Sequence, residues 1–211
     1  MRGRAVGAVV LSACGAVLCA PASPVGAVTT ALVVNEVKAS GLNGELDEFL
    51  ELRNVGAQPL DVSGYEVRAH RPNCAVEAVV AIPPGTVLDP GAMLVFVNEG
   101  FTGTVPPEAT LLRYTSPSPV GLLLGPQGSV SVADQDGVVD GLAWTTELGT
   151  TACRQEGQAA RGPTSPFGTE SLSRDTASTD TDDNRRDFTR TPATPGAPTG
   201  PPAGADGPDA A

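Results

Sequence analysis

The sequence predicts an all-β fold: an immunoglobulin-like antiparallel β-sandwich with disordered N- and C-terminal flanks. Three observations predict it. Short apolar or alternating segments recur about every ten residues, with turn signals between them. No stretch between Val28 and Arg190 sustains the 3.6-residue period of an amphipathic helix. Turn formers are abundant, with 25 Gly and 20 Pro, and aromatics are few, which suits short strands better than a helical bundle.

Each element has its own signal. The β-branched run Ala31-Leu32-Val33-Val34-Asn35-Glu36-Val37 predicts the first strand. In 47–54, Phe49, Leu50 and Leu52 are interleaved with Glu48, Glu51 and Arg53, which predicts a strand with one buried face. Glu48 and Glu51 then fall on opposite faces and are read as solvated, not as a catalytic carboxylate pair. Asn35 and Asn54, at strand ends, can bond nearby backbone. Segment 60–67 leads into a further strand, and 74–82 forms the next, stopped by Pro83-Pro84-Gly85. After the turn Asp89-Pro90-Gly91, the continuous apolar run 93–97 predicts a central strand buried on both faces. Segment 102–119 is irregular apart from 111–114, and 122–124 and 129–133 flank a Gly-Pro-Gln-Gly turn. Asp134-Gln135-Asp136-Gly137 predicts a hairpin turn, with 138–144 as the returning strand.

The flanks read differently. Arg2 and Arg4 precede an apolar run from Ala5 to Ala20, and Val25-Gly26-Ala27 supplies a cleavage site, so 1–27 is read as a signal peptide. The alternative is a lipobox at Leu11-Ser12-Ala13-Cys14, which would lipidate Cys14 and anchor the chain. From Thr191 onward the chain is mostly Pro, Gly, Ala and Asp, and 191–211 is expected to be a disordered tail behind a domain at 31–190. Export leaves Cys74 and Cys153, an even pair for which a disulfide is the default. Closing a loop of about 80 residues contributes ~4–5 kcal/mol in the chain-entropy model. The net charge of −11, with Lys38 the single lysine, argues against delocalised nucleic-acid binding but not against a local basic patch.

The segments resemble, in order and spacing, the lamin tail domain, a sandwich found in nuclear lamins and in exported bacterial proteins. The residues that carry the resemblance are Val33-Val34-Asn35-Glu36-Val37, Asp47-Glu48-Phe49-Leu50-Glu51-Leu52-Arg53-Asn54, Leu60-Asp61-Val62-Ser63-Gly64-Tyr65, the 82–91 turn region, 130–140, and the closing piece from Ser171 to Thr194-Pro195-Gly196. The resemblance implies a binding or tethering role towards a protein or cell-envelope component. Such domains often accompany secreted hydrolases or nucleases, and in lamins the tail contacts proteins and DNA.

Catalytic signals are sparse. The sequence has neither a Gly-x-Ser-x-Gly elbow nor a His-Glu-x-x-His motif, and its one histidine, His70, is read as a surface loop residue. No catalytic residue and no cofactor are therefore predicted. Asp180-x-Asp182-x-Asn184 begins like a calcium loop, but Arg185 stands where Gly is needed and Thr191 where a bidentate Glu is needed. The leading reading of this stretch is a solvated loop. A calcium site of other geometry at Asp180, Asp182 and Asn184 is the alternative, and so is a metal-assisted hydrolase built on Asp175, Asp180, Asp182 and Asp183. Arg113, Arg154, Arg161, Arg174, Arg185, Arg186 and Arg190 would bind a phosphate-bearing partner only if folding gathered them on one face.

Overall fold

The computed structural model describes residues 31–71, 73–115, 121, 127–146, 152–165 and 167–199. The predicted signal peptide with Cys14, the 122–124 segment and residues 200–211 lie outside the described residues.

In chain order the elements are β1 (Leu32–Lys38), β2 (Phe49–Asn54), β3 (Leu60–Asp61), β4 (Glu66–His70), β5 (Val76–Ala81), β6 (Val87–Leu88) and β7 (Met93–Asn98). Then come β8 (Thr110–Tyr114), β9 (Gly128–Ala133), β10 (Val138–Thr145), β11 (Ala160–Arg161), β12 (Glu170–Ser173), the single-turn helix α1 (Asn184–Asp187) and β13 (Thr189–Pro192). They form a six-stranded sheet in the order β13-β12-β1-β2-β7-β8, a five-stranded sheet in the order β11-β10-β9-β4-β5, and a β3-β6 ribbon. The all-β sandwich is the predicted fold class. Pairing is antiparallel except for β7–β8 and β10–β11, because the connection across 99–109 and the loop carrying Cys153 are crossovers and not hairpins.

The core lies between the two large sheets. The larger sheet contributes Leu32, Val34, Leu50, Leu52, Leu94 and Phe96, and the smaller contributes Val67, Val130, Val132, Leu142 and Trp144. Gly128 fits under Trp144, since a Cβ there would lie 2.5 Å from the indole ring. The alternate residues of the larger sheet are also buried. Phe49, Val95 and Val97 pack beneath Phe101, Val105, Ala109 and Ala193, and the Phe49 and Phe101 rings meet edge to face at 5.9 Å. Loop 99–109 and the segment after β13 therefore cover the outer face, and β7 is buried on both sides as its apolar run predicts.

Four expectations are overturned, the first two by this cover. Glu48 and Glu51 are both fully buried, not solvated, because their strand has no solvent face. The ordered domain does not end at residue 190: β13 runs to Pro192, and Thr194 and Gly196 bond β-sheet carboxylates. His70 is not a surface loop residue but the last residue of β4, 1 % exposed. The predicted 74–82 strand begins at Val76, because Cys74 sits in the β4–β5 turn at φ 65°.

The disulfide forms between Cys74 and Cys153, with Cα atoms 5.2 Å apart. Cys74 lies between β4 and β5, and Cys153 follows β10. The bridge thus ties connections of one sheet and does not span the sandwich. Asn54 behaves as expected of a strand end: its amide donates to the Gln58 and Leu88 carbonyls, and its Oδ1 accepts from Gly56 N. Asp134 Oδ1 accepts from Asp136 N and Gly137 N, closing the predicted β9–β10 hairpin.

Candidate functional site

Two buried polar clusters and one groove lie towards the β12–β13 side of the molecule. The first cluster starts from a register shift. β1 carries a bulge between Val34 and Glu36, so Glu36 pairs with Glu51 while Val34 and Val37 stay on the core face. Two carboxylates thereby meet on the outer face of the sheet. Glu36 accepts from Ser171 Oγ at 2.6 Å, Thr194 N at 2.8 Å and Thr194 Oγ1 at 2.9 Å. Glu51 accepts from Asn35 Nδ2 and Gly196 N, both at 2.6 Å. Burial pushes the Glu36 carboxyl up against the donors from Ser171 and Thr194. Burial also raises Glu51 to about 7, with Asn35 opposing and the Glu36 charge adding to the rise. Three stretches far apart in sequence, Asn35-Glu36, Glu51 and Thr194-Pro195-Gly196, thus close on one another. Glu48, on the same sheet, accepts from Asn98 Nδ2 and Tyr114 Oη at 2.7 Å each. Burial and then that carboxylate push the phenol well above its usual range.

The second cluster centres on Arg174, whose side chain is 0 % exposed. Its Nε donates to Val34 O at 2.9 Å. One terminal nitrogen donates to Thr179 O, Asp180 Oδ1 and Asp187 Oδ2, and the other to both oxygens of Asp140 at 3.3 Å. The guanidinium also lies 4.5 Å from the Phe188 ring centre. Glu156 joins the acids: Asp140, Glu156 and Asp180 bring oxygens within 4.8 Å of one another. Burial and then the Asp140 charge push Glu156 up to about 9. Burial raises Asp140 as well, opposed by Arg174. Burial therefore draws both carboxyls towards their neutral forms, with Arg174 opposing at each. Three acids that could ligate a metal are present, but a guanidinium already occupies the cation's position between Asp140 and Asp180.

The groove, of about 430 Å³, lies beside this hub. Its rim carries Thr176, Thr179, Thr181, Thr189 and Arg186, and its floor includes Thr191 and Thr199. Asp175 also lines it. Burial pulls that carboxyl up, but the Thr179 backbone and hydroxyl and the Ala177 and Ser178 amides outweigh burial and hold it below the usual range. The Thr199 residue is 6 % exposed, and its Oγ1 has no hydrogen-bond partner. Among the described residues the Arg186 guanidinium makes no hydrogen bond or ion pair.

The other sequence candidates do not assemble. Asn184, proposed as a calcium ligand, turns inward: Oδ1 accepts from Ala143 N and Glu156 N, and Nδ2 donates to Gly141 O. Asp183 caps α1 through Arg185 N, Asp180 serves Arg174, and Asp182 remains exposed. The calcium trio therefore offers no common ligand sphere. Asp187, taken for part of a solvated loop, is 8 % exposed and holds Thr181 as well as Arg174. His70 Nε2 bonds Ser131 Oγ at 2.8 Å, and burial followed by the Arg154 charge lowers its pKa. The arginines are not gathered, since β8 with Arg113 and β13 with Arg190 are the outermost strands of one sheet. Sequence reasoning missed Asp140 and Glu156. No local signal marks them: Arg174 follows the mostly polar strand Glu170-Ser171-Leu172-Ser173, and its burial beside these acids shows only in the fold.

No known family's sequence profile matches the chain, and no curated protein matches it. Among solved structures, it is similar to the crystal structure of a DUF4876 family protein from Bacteroides thetaiotaomicron VPI-5482, with a TM-score of 0.57 at 11% identity, over 75% of this chain and 70% of that chain. At that identity the likeness bears on the fold alone.

Proposed function

We propose that this chain is a non-catalytic extracellular binding or tethering module of lamin-tail type, holding a protein or cell-envelope component. The observation that carries the reading is the contrast between bonded and free polar groups. Glu36, Glu48, Glu51, Asp140 and Asp187 are bonded inside the fold, whereas Arg186 faces a threonine-lined groove without a partner. Two further observations support it. The stretches that resemble lamin tails meet in space at the Glu36–Glu51 cluster. The disulfide fits an oxidising compartment outside the cytoplasm.

The test immobilises the disulfide-bonded protein and passes envelope extract and culture medium from its source over it. The expected result is retention of a defined component, with no turnover of nucleic acid or phosphoesters by the free protein. Turnover that survives repurification, or no retention above an albumin control, would overturn the proposal.

A further inference from the structure

We infer that the groove beside β13 takes a carboxylated sugar, with Arg186 gripping the carboxylate; this deepens the binding-module reading and rests on it. The lining has the mixed chemistry that a sugar needs. The Thr179 and Thr181 hydroxyls donate to Asp175 and Asp187, so they face a ligand as acceptors. Among the described residues the exposed hydroxyls of Thr176 and Thr189 have no internal partner and can donate. Threonine methyls supply apolar contact for sugar C–H faces. The unpartnered Thr199 Oγ1 at the floor is a second, independent sign of missing bonding, because a buried hydroxyl without a partner is costly. The groove's 430 Å³ falls within the roughly 300–1,000 Å³ of small-molecule clefts, room for a sugar unit or two.

Charge selects the substituent. Arg174 is neutralised by Asp140, Asp180 and Asp187, which leaves Arg186 as the free cation of the groove. Asp175 lines the same groove, its carboxyl held below the usual range by the Thr179, Ala177 and Ser178 donors. One cation and one acid sharing a groove, on a chain of net charge −11, favour a monoanion over a dianion. A planar carboxylate also matches the guanidinium fork in a way a lysine could not. A uronic-acid-type unit meets both demands and a phosphate does not.

Titration calorimetry on the exported, disulfide-bonded protein tests this with galacturonic acid, a monoanion, as the probe and galactose, acetate and inorganic phosphate as comparisons. Galacturonic acid is expected to bind at least about tenfold more tightly than any of the three. Arg186→Ala is expected to weaken binding by about tenfold or more, and Arg186→Lys by less, since lysine keeps the charge but loses the fork. Among the described residues the Arg186 side chain bonds nothing, so an unchanged melting temperature certifies the variants as folded. The inference is overturned by no binding of galacturonic acid, by unchanged affinity in Arg186→Ala, or by phosphate or acetate binding equally well. If the column retains an envelope component while galacturonic acid does not bind, the groove assignment fails and the binding-module reading stands.

Discussion

Raising the pH from mild acid to neutrality is expected to weaken this fold, and Glu51 is the residue through which the effect can be isolated. Its folded-state pKa lies at about 7, against 4.5 for an ordinary glutamate. The folded state therefore keeps a proton that the unfolded chain gives up. The associated stability is fully present below about pH 4.5 and is lost as pH rises to about 7, after which it stays lost. That gap corresponds to ~3 kcal/mol, or about 6–12 °C in melting temperature for a domain of this size. The variant is Glu51→Gln, which cannot titrate. Both oxygens of Glu51 accept hydrogen bonds, from Asn35 Nδ2 and Gly196 N, and an amide can keep only one of them. The variant should therefore be weaker by ~1–3 kcal/mol in mild acid. Towards alkaline pH the wild-type curve falls to meet it, because there the wild type has to ionise a buried carboxyl. The assay is urea unfolding of both proteins, with the disulfide intact, at several values from pH 5 to 8. Depressed His70 works in the opposite sense, losing stability as pH falls below its ordinary value, but it is common to both proteins and cancels in the difference. Parallel curves over the whole range would refute the argument.

Other expectations follow from the same contacts. Arg174→Met strands Asp140, Asp180 and Asp187 in the interior and is expected to cost ~3–5 kcal/mol by urea unfolding, and a loss below about 1 kcal/mol would contradict the hub. Replacing Cys74 and Cys153 together by Ser is expected to lower stability by up to ~4–5 kcal/mol, and two free thiols in exported material would contradict the bridge. Calcium or a chelator is expected to leave the melting temperature unmoved, because Arg174 stands where the cation would; a rise of several degrees with calcium would reopen the metal reading of Asp140, Glu156 and Asp180. Intact mass of the exported protein is expected to start at Val28, and a diacylated Cys14 would make it a lipoprotein instead.

The strands were legible because their signals are local. The apolar run at β7, the alternation at β2 and the Asp-Gly turn between β9 and β10 can each be read within ten residues or so. The cysteine pairing was legible because Cys74 and Cys153 are the two cysteines beyond the N-terminal apolar run. What could not be read was non-local. Glu51 alternates with Leu50 and Leu52 as a solvated residue would, and nothing within β2 announces that residues 193–197 will lie across it. His70 precedes a turn and looks like part of it, yet Ser131 on the neighbouring strand draws it inside. Asp180, Asp182 and Asn184 are spaced like ligands, but Arg174 and the backbone of β10 take two of the three. Asp180 is taken by Arg174 from only 6 residues away, but in the other cases a partner more than about 40 residues away, or a covering loop, overrides the local pattern.

The buried acids share one structural cause. A sheet covered by irregular chain confronts backbone N–H groups that no strand partner can satisfy, and each would be costly if left unpaired. Loop 99–109 and segment 193–197 are such covers. A carboxylate beneath them accepts several donors at once: Glu36 takes the Thr194 amide and hydroxyl together with Ser171, and Glu51 takes the Gly196 amide. Asp140 does the same at the sandwich centre, accepting Val34 N and Gly141 N along with Arg174. These acids thus replace the ladder that a further strand would have supplied, and their elevated proton affinities record the burial this requires. An acidic residue fully used in that way has nothing left to offer a ligand. Under the proposed binding role, recognition falls to groups that the architecture leaves unbonded, and among the described residues the groove beside β13 brings together Arg186, Thr176 and Thr189 as such groups.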